Sequence, residues 1–285
     1  WGGFAIAAGL MAIMYFCLVL SLAEMSASIP AAGGGYSFAR QVMGPTGGYL
    51  TGLAILIEYV LAPAAIVIFI GSAVESLFGF NGPLVYAFFY AAFIAIHLIG
   101  AGEALKTMMV ISALAVFAII ATAIALIGNF DATKLFDIAV SAEVAGATEF
   151  LPFGWYGVWA ALPFGMWLFL AVEGVPLAAE EAKNPAKDVP KGIIAAMIFL
   201  LITAVLVVFL LPAITGAEVL GKSTIPLIDA LNANGNTSLA TTVNVLALAG
   251  LIASFFSIIY GYSRLVFALS RAGYLPRFLS LTSAK

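Results

Sequence analysis

The chain has 285 residues, 64% of them hydrophobic and only 9% charged, with a formal net charge of -3. A soluble domain carries about 25% charged residues, so a water-soluble fold is excluded and the chain reads as an integral membrane protein. The negative balance argues against a nucleic-acid partner, and the lone Cys17 and His97, both in apolar runs, provide neither a disulfide framework nor a metal site, so no cofactor or metal is expected.

Seven segments are apolar over the roughly 20 residues that a helix needs to cross a bilayer. They run from about 3–23, 47–73, 82–100, 107–128, 155–180, 192–213 and 240–263, the third being the shortest. The runs are continuous, which predicts helices and not a membrane barrel. The chain starts at Trp1, with no basic segment before the first apolar run. That is unlike a signal peptide and like a chain that begins part-way through a larger protein.

Basic residues orient the spans. Arg40, Lys106, Lys183, Lys187, Lys191, Arg264, Arg271, Arg277 and Lys285 fall on one side, and only Lys134 and Lys222 on the other. The positive-inside rule then predicts a multi-pass protein of the cytoplasmic membrane, with its start outside and its end in the cytoplasm. The outer loops are acidic, at Glu75, Asp131, Asp137, Glu143, Glu149, Glu218 and Asp229. Such loops slightly favour the approach of a cation, or are simply solvated surface.

The first span ends at Glu24 and runs into Pro30 and Gly33–Gly35, which forbid a continuing helix. A phosphate loop needs a Lys-Ser/Thr pair that is missing, so the stretch reads as a tight cytoplasmic connection in an inner gate. The second span carries Glu58 in mid-run, flanked by about ten apolar or small residues on each side. An intramembrane carboxylate points to function, the alternative being a protonated acid hydrogen-bonded to a neighbouring helix. Tyr59 is adjacent, and Pro63 frees a backbone carbonyl in the following turn. His97 in the third span reads as a packing or hydrogen-bonding residue, with Gly100, Gly102 and Glu103 marking the inner turn. The fourth span is rich in small residues, from Ser112 to Ala125, that permit close helix packing. After a long outer loop, Trp155, Tyr156 and Trp159 suit an interfacial belt.

The fifth span holds a trio that an unbroken lipid-facing helix has no use for: Glu173, Gly174 and Pro176. A helix broken at Val172–Gly174 accounts for all three, because the break frees backbone groups to bind a polar solute. The alternative is a proline-kinked span whose Glu lies near the surface. Trp167, with Phe164 and Phe169, either closes over a solute or packs. An aromatic face and a carboxylate both suit an ammonium group. The sixth span reads as scaffold; in the seventh, Asn244, Ser254 and Ser257 accompany Phe255 and Phe256, the hydroxyls reading as caps of local carbonyls.

Three stretches in order, SLAEMSASIPAAGGGYSFARQVMGPTGGYLTG, FLAVEGVPLAAEEAKNPAKDVPKG and YGYSRLVFALSRAGYLPRFLS, resemble the amino acid–polyamine–organocation transporter superfamily over essentially the whole chain. IEYVLAPAAIVIF together with FLAVEGVPLAAEEA is similar to bacterial ethanolamine permeases within it. The resemblance implies an all-α, five-plus-five inverted-repeat (LeuT-like) fold, of which this single domain, 1–285, holds helices two to eight and is incomplete at both ends. It implies a mid-membrane site between the broken first and sixth helices and helices three and eight. Trp167 matches the aromatic gate, Leu170 and Ala171 the unwound backbone that contacts the substrate amine, and Glu173 the glutamate just past the break. Glu58 and Tyr59 fall on a substrate-facing turn of helix three, and Phe255 and Ile258 on the pocket face of helix eight. Some proton-coupled relatives carry a lysine in helix five where Ser112 and Ala115 stand here, so the coupling ion, proton or sodium, stays open.

The expected function is secondary transport of a small organic amine, ethanolamine first, with an amino acid as the alternative substrate. The expected partners are that substrate, the lipid bilayer and a coupling ion. A retinal protein needs a mid-span lysine, and an enzyme needs a catalytic cluster; neither is present, so no enzymatic activity is expected.

Overall fold

A computed structural model describes residues 1–29, 33–99 and 102–281. Pro30, Gly100 and Lys285, and the side chain of Glu103, lie outside the described residues. Among those described, all regular structure is helical. The seven expected spans appear as α1 (Gly2–Ser28), α2 (Gly34–Phe78), α3 (Pro83–Ile99), α4 (Gly102–Leu126), α5 (Gly154–Trp167) continued by a 3-10 segment (Val172–Glu181), α6 (Pro185–Val205) and, after the short outer helices α7 (Leu211–Thr215), α8 (Ala217–Leu220) and α9 (Pro226–Ala233), α10 (Thr237–Arg271). Six are long and apolar enough to cross a membrane; α3 has 17 residues. At 1.5 Å per residue α3 is about 26 Å long, a little under the hydrocarbon thickness.

Two boundaries differ from the sequence reading. The connection expected after Glu24 is largely helical from Gly34 onward, and α2 is two helices joined at a kink, where Gly44 has φ 75° and ψ -172°. The cause is local: the residue before a proline is driven out of the helical region, and only glycine takes a positive φ without strain. Pro45 then opens the long second part, and its carbonyl accepts a hydrogen bond from Tyr274 Oη at 2.8 Å. The break in the fifth span starts earlier than Val172. The α-helix stops at Trp167, and Ala171 adopts φ 71°, before the 3-10 segment begins.

The helices form two groups. α1 packs on α5 and α6, around Tyr15, Val19, Phe169, Ile193 and Met197. α10 packs along α2 and α4, and α2 and α3 join around Ile66, Ile70, Phe93, Phe255 and Phe256. The 3-10 segment touches α1 and α6 of the first group and α2 and α10 of the second.

The spans hold together by close approach and local satisfaction of polar atoms. A Cβ on Gly250 of α10 would stand 2.7 Å from the Cβ of Ala115 in α4, so the small residues of the fourth span do seat α10. The Thr122, Thr203 and Ser257 hydroxyls donate to carbonyls three or four residues back. His97 Nδ1 lies 2.7 Å from the Phe93 carbonyl and its ring stacks near Phe256, a packing role. α6 continues through a π-helical turn, Leu206–Leu210, where the Val208 carbonyl accepts a hydrogen bond from Trp1 Nε1 at 2.7 Å. Such a turn leaves a carbonyl outside the ordinary ladder, available to the indole. Trp155, Tyr156 and Trp159 are exposed at the outer start of α5, as a belt requires.

Several outer acids are structural. Asp131 caps the turn after it through the Thr133 N–H and hydroxyl, which hold its carboxyl below the usual carboxylate range. Asp137 accepts from the Glu218 N–H, and Asp229 from the Ser223 hydroxyl.

Gly250→Leu is expected to force α4 and α10 apart and destabilise the protein by about 1–3 kcal/mol. Gly9→Ala on α1, which meets open space, serves as the control and leaves thermal unfolding in detergent unchanged.

Candidate functional site

The break at Leu168–Ala171 is where the chain departs from helix inside the span. A helix that stops leaves its last carbonyls without intrahelical donors, and in a membrane these must face protein, water or a solute. Leu170 and Ala171 pack here against the α2–α10 cluster of Ala62, Ile66 and Ile258.

Glu173 follows at once. Its Oε1 accepts a long hydrogen bond, 3.3 Å, from the hydroxyl of Tyr59, which is buried in α2. Its Oε2 is buried and meets no donor among the described residues. Glu58 stands one residue before Tyr59 on α2 and is half-buried. Glycines make the approach possible. A Cβ on Gly174 would collide with the Tyr59 hydroxyl, and one on Gly261 of α10 would come within 3.1 Å of the Tyr59 ring. Tyr15 of α1 is buried as well, and its ring lies 5.9 Å from Phe169.

Of the residues predicted from sequence, Tyr59 and Glu173 thus come together, with Leu170 and Ala171 packed at the same break and Glu58 one residue from Tyr59 on α2. Trp167 ends α5 half-exposed, its ring 6.3 Å from Phe69 of α2 and edge-on to it, so it spans the two helix groups just outside the break. Phe164 does not join it: it points outward at 68% exposure, while Phe169 is buried on the other face. Phe255 is fully buried against Tyr90 and Phe93 of α3, and Ile258 lies one turn below it in the same cluster.

A different cavity, of about 770 Å³, opens at the outer end among Trp1, Phe4, Leu151, Tyr156, Phe164 and Leu211. Its lining carries no carboxyl side chain, so it offers a charged amine no anion to pair with.

Sequence reading missed a cluster on the inner side. Glu181, the last residue of the 3-10 segment, pairs with the Arg264 guanidinium and accepts from Tyr260 Oη at 3.0 Å. Arg264 Nε also donates to Tyr260 Oη at 3.1 Å, with its guanidinium 5.1 Å from that ring. Both charges stood in the inner loops of the sequence, but nothing in their spacing, 83 residues apart, pairs them. The cluster ties the broken span to α10.

A membrane bundle in two helix groups, joined by a broken span that carries a buried acid at its break, is the architecture of a secondary transporter. The chain belongs to the Amino acid permease family, which it matches over residues 2–284. It is 31% identical to an uncharacterised transporter of Rhizobium meliloti (strain 1021), covering 94% of this chain and 59% of the relative. It is 29% identical to the methylthioribose transporter of Bacillus subtilis (strain 168), covering 93% and 58%. It is 26% identical to the branched-chain amino acid permease BcaP of the same organism, covering 93% and 59%. The chain therefore spans about 59% of the length of these relatives.

Two outcomes test this geometry. Ala171→Gly relieves a left-handed backbone that costs a residue with a Cβ about 1 kcal/mol, so it raises the thermal midpoint, whereas Ala171→Val lowers it. A double-mutant cycle on Glu181→Ala and Arg264→Ala is expected to give a coupling of only about 0.5–1 kcal/mol, because both side chains are partly exposed.

Proposed function

We propose that this chain is the helix-two-to-eight portion of a secondary transporter that carries a small organic amine, ethanolamine first, across the cytoplasmic membrane by alternating access. The observation that carries the reading is the buried Glu173 at the broken span, its Oε2 without a donor among the described residues, with Glu58 one residue from its partner Tyr59, in a chain whose seven apolar runs contain no lysine or arginine. Two carboxyls without a protein cation ask for a cationic ligand, since an unpaired charge at that depth costs about 3 kcal/mol or more. The backbone at Leu170–Ala171 supplies further acceptors for an ammonium group, and Trp167 shields the outer side. The positive-inside asymmetry supports an outer start and a cytoplasmic end for the chain.

Movement follows from the packing. The group of α1, α5 and α6 rocks against α2, α3, α4 and α10 about the site. The Glu181–Arg264–Tyr260 cluster, which fastens the broken span to α10, serves as the inner gate in this reading.

The second reading is an amino-acid carrier of the same fold, favoured by the relative named as a branched-chain amino acid permease. Thermal stabilisation of the full-length protein separates the two. A ligand at 100 times its Kd stabilises by about 2.7 kcal/mol. Ethanolamine is expected to shift unfolding, and alanine, serine and putrescine not to; a shift with alanine or serine instead establishes the amino-acid carrier. Glu58→Gln is expected to abolish amine uptake while the protein still reaches the membrane, and undiminished uptake removes Glu58 from the mechanism.

A further inference from the structure

The kink in α2 and the end of α10 meet in a corner that takes no part in the broken span. The short helix before the kink, residues 34–43, folds back along the start of the long one. A Cβ on Gly35 would stand 3.2 Å from Ile55, and one on Gly52 would stand 3.2 Å from the Tyr36 ring and 2.7 Å from Leu269 of α10. Tyr36, Leu265 and Leu269 form a small core of their own. Beside it lies Tyr274, in the turn after α10. Its ring is edge-on to Tyr36 at 6.1 Å and 5.3 Å from Tyr49, and its hydroxyl donates to the Pro45 carbonyl. The turn is itself fixed: the Ser270 hydroxyl donates to the Pro276 carbonyl at 2.7 Å, and the Tyr274 N–H to the Leu269 carbonyl at 3.0 Å. It leads into a last 3-10 turn, Arg277–Ser280.

Three exposed arginines belong to this corner. Arg40 donates to the Tyr36 hydroxyl at 2.8 Å, and its stem lies against Gly48, where a Cβ would come within 2.6 Å of it. Arg271 and Arg277 stand three residues to either side of Tyr274, Arg271 with its guanidinium 5.6 Å from the Phe267 ring. None of the three makes an ion pair among the described residues. Their own stretches supply no acid: residues 25–57 and 230–285 contain neither Asp nor Glu. Arg264, by contrast, is engaged with Glu181. Val42, Met43, Phe278 and Leu281 are exposed on the same two segments.

We infer that this corner is a binding site for an anionic phospholipid, whose headgroup is held by Arg40, Arg271 and Arg277 and whose acyl chains lie over the apolar side chains beside them. Guanidinium groups suit phosphate because their N–H donors meet its oxygens in pairs. Free phosphate would answer the charge but leave Val42, Met43, Phe278 and Leu281 in water, whereas a lipid covers both. Both segments belong to the group of α2, α3, α4 and α10. A bound lipid thus fastens that group to its leaflet and leaves α1, α5 and α6 to move against it. The leaflet is the cytoplasmic one under the orientation proposed above, a clause on which the binding itself does not depend.

The test is lipid retention. Full-length protein in neutral detergent is given equal amounts of phosphatidylglycerol and phosphatidylcholine and weighed by native mass spectrometry. The wild type is expected to retain phosphatidylglycerol in preference, and the preference to fall as salt rises, a result that needs no variant to fold. Arg40→Gln, Arg271→Gln and Arg277→Gln are each expected to lower that retention about fivefold, and together to abolish the preference. Lys183→Gln, Lys187→Gln and Lys191→Gln, combined, remove the same charge from exposed positions of another loop and are expected to leave it intact. Excess glycerol 3-phosphate is expected not to displace the lipid. Equal retention of the two lipids by the wild type, equal losses in the arginine and lysine triple variants, or displacement by glycerol 3-phosphate overturns the site. Labelling of Gln41→Cys, in a Cys17→Ser background, by a membrane-impermeant thiol reagent reads the orientation separately. Labelling from outside overturns the cytoplasmic placement while retention still decides the site.

Discussion

The constraint on which the rest of this structure depends is the placement of the Glu173 carboxyl inside an apolar bundle. A carboxylate there loses the solvation that water provides, and the neighbourhood answers that loss piece by piece. The Tyr59 hydroxyl turns toward it, and glycines at 174 and 261 keep space open for the phenol between them. The helix gives up its ladder one turn earlier, at Leu168–Ala171, at the expense of a left-handed alanine. Strain of that kind persists only where the surroundings over-determine it, and here packing against α2 and α10 does so.

From that point the architecture divides in two. The α1–α5–α6 group has its own core around Phe169 and Met197, and the α2–α3–α4–α10 group has another around Phe255 and Phe256. The 3-10 segment packs on both, which makes it the element whose movement each group registers. Its two ends are held differently. At the site end the polar contact is one long hydrogen bond from Tyr59. At the inner end an ion pair, a tyrosine bridge and a cation–π contact fasten Glu181 to α10. Because these inner groups are partly exposed, water stands ready to replace each bond when they part. A contact that is well made yet cheaply exchanged suits a closure that must open in every cycle.

The spans were legible in the sequence because continuous apolar runs leave the helix no competitor in a membrane. Glu58, Glu173, Gly174 and Pro176 were legible as misfits in those runs. What could not be read was which misfits meet. Tyr59 and Glu173 are 114 residues apart, and their contact is decided by how α2 packs against the broken span. The kink at Gly44–Pro45 was written in local chemistry, but the apolar count began only at 47 and passed over it. The position of the break was displaced because sequence shows only where helix formers are weak. Ala171, an excellent helix former, is the residue that leaves the helix. Phe164 and Phe169 looked like partners of Trp167, yet Phe164 stays exposed and Phe169, past the end of the helix, is buried in the core shared by α1 and α6.

Charge also bears on which solute this site prefers. A free amine brings one positive charge to a place that holds two acids. An amino acid brings the same ammonium together with a carboxylate, and that carboxylate needs a donor or a cation of its own. In the described residues nothing basic lies at mid-depth, and the donors near the break are two phenols, one already turned toward Glu173. Under the amine reading, a carboxylate entering beside Glu58 and Glu173 would add a further negative charge where no protein cation stands among the described residues. A second acid would then discriminate by repulsion as well as by attraction, which is how a site rejects a close relative of its ligand. An amino acid would be accommodated only where its carboxylate is held by groups that lie away from both glutamates.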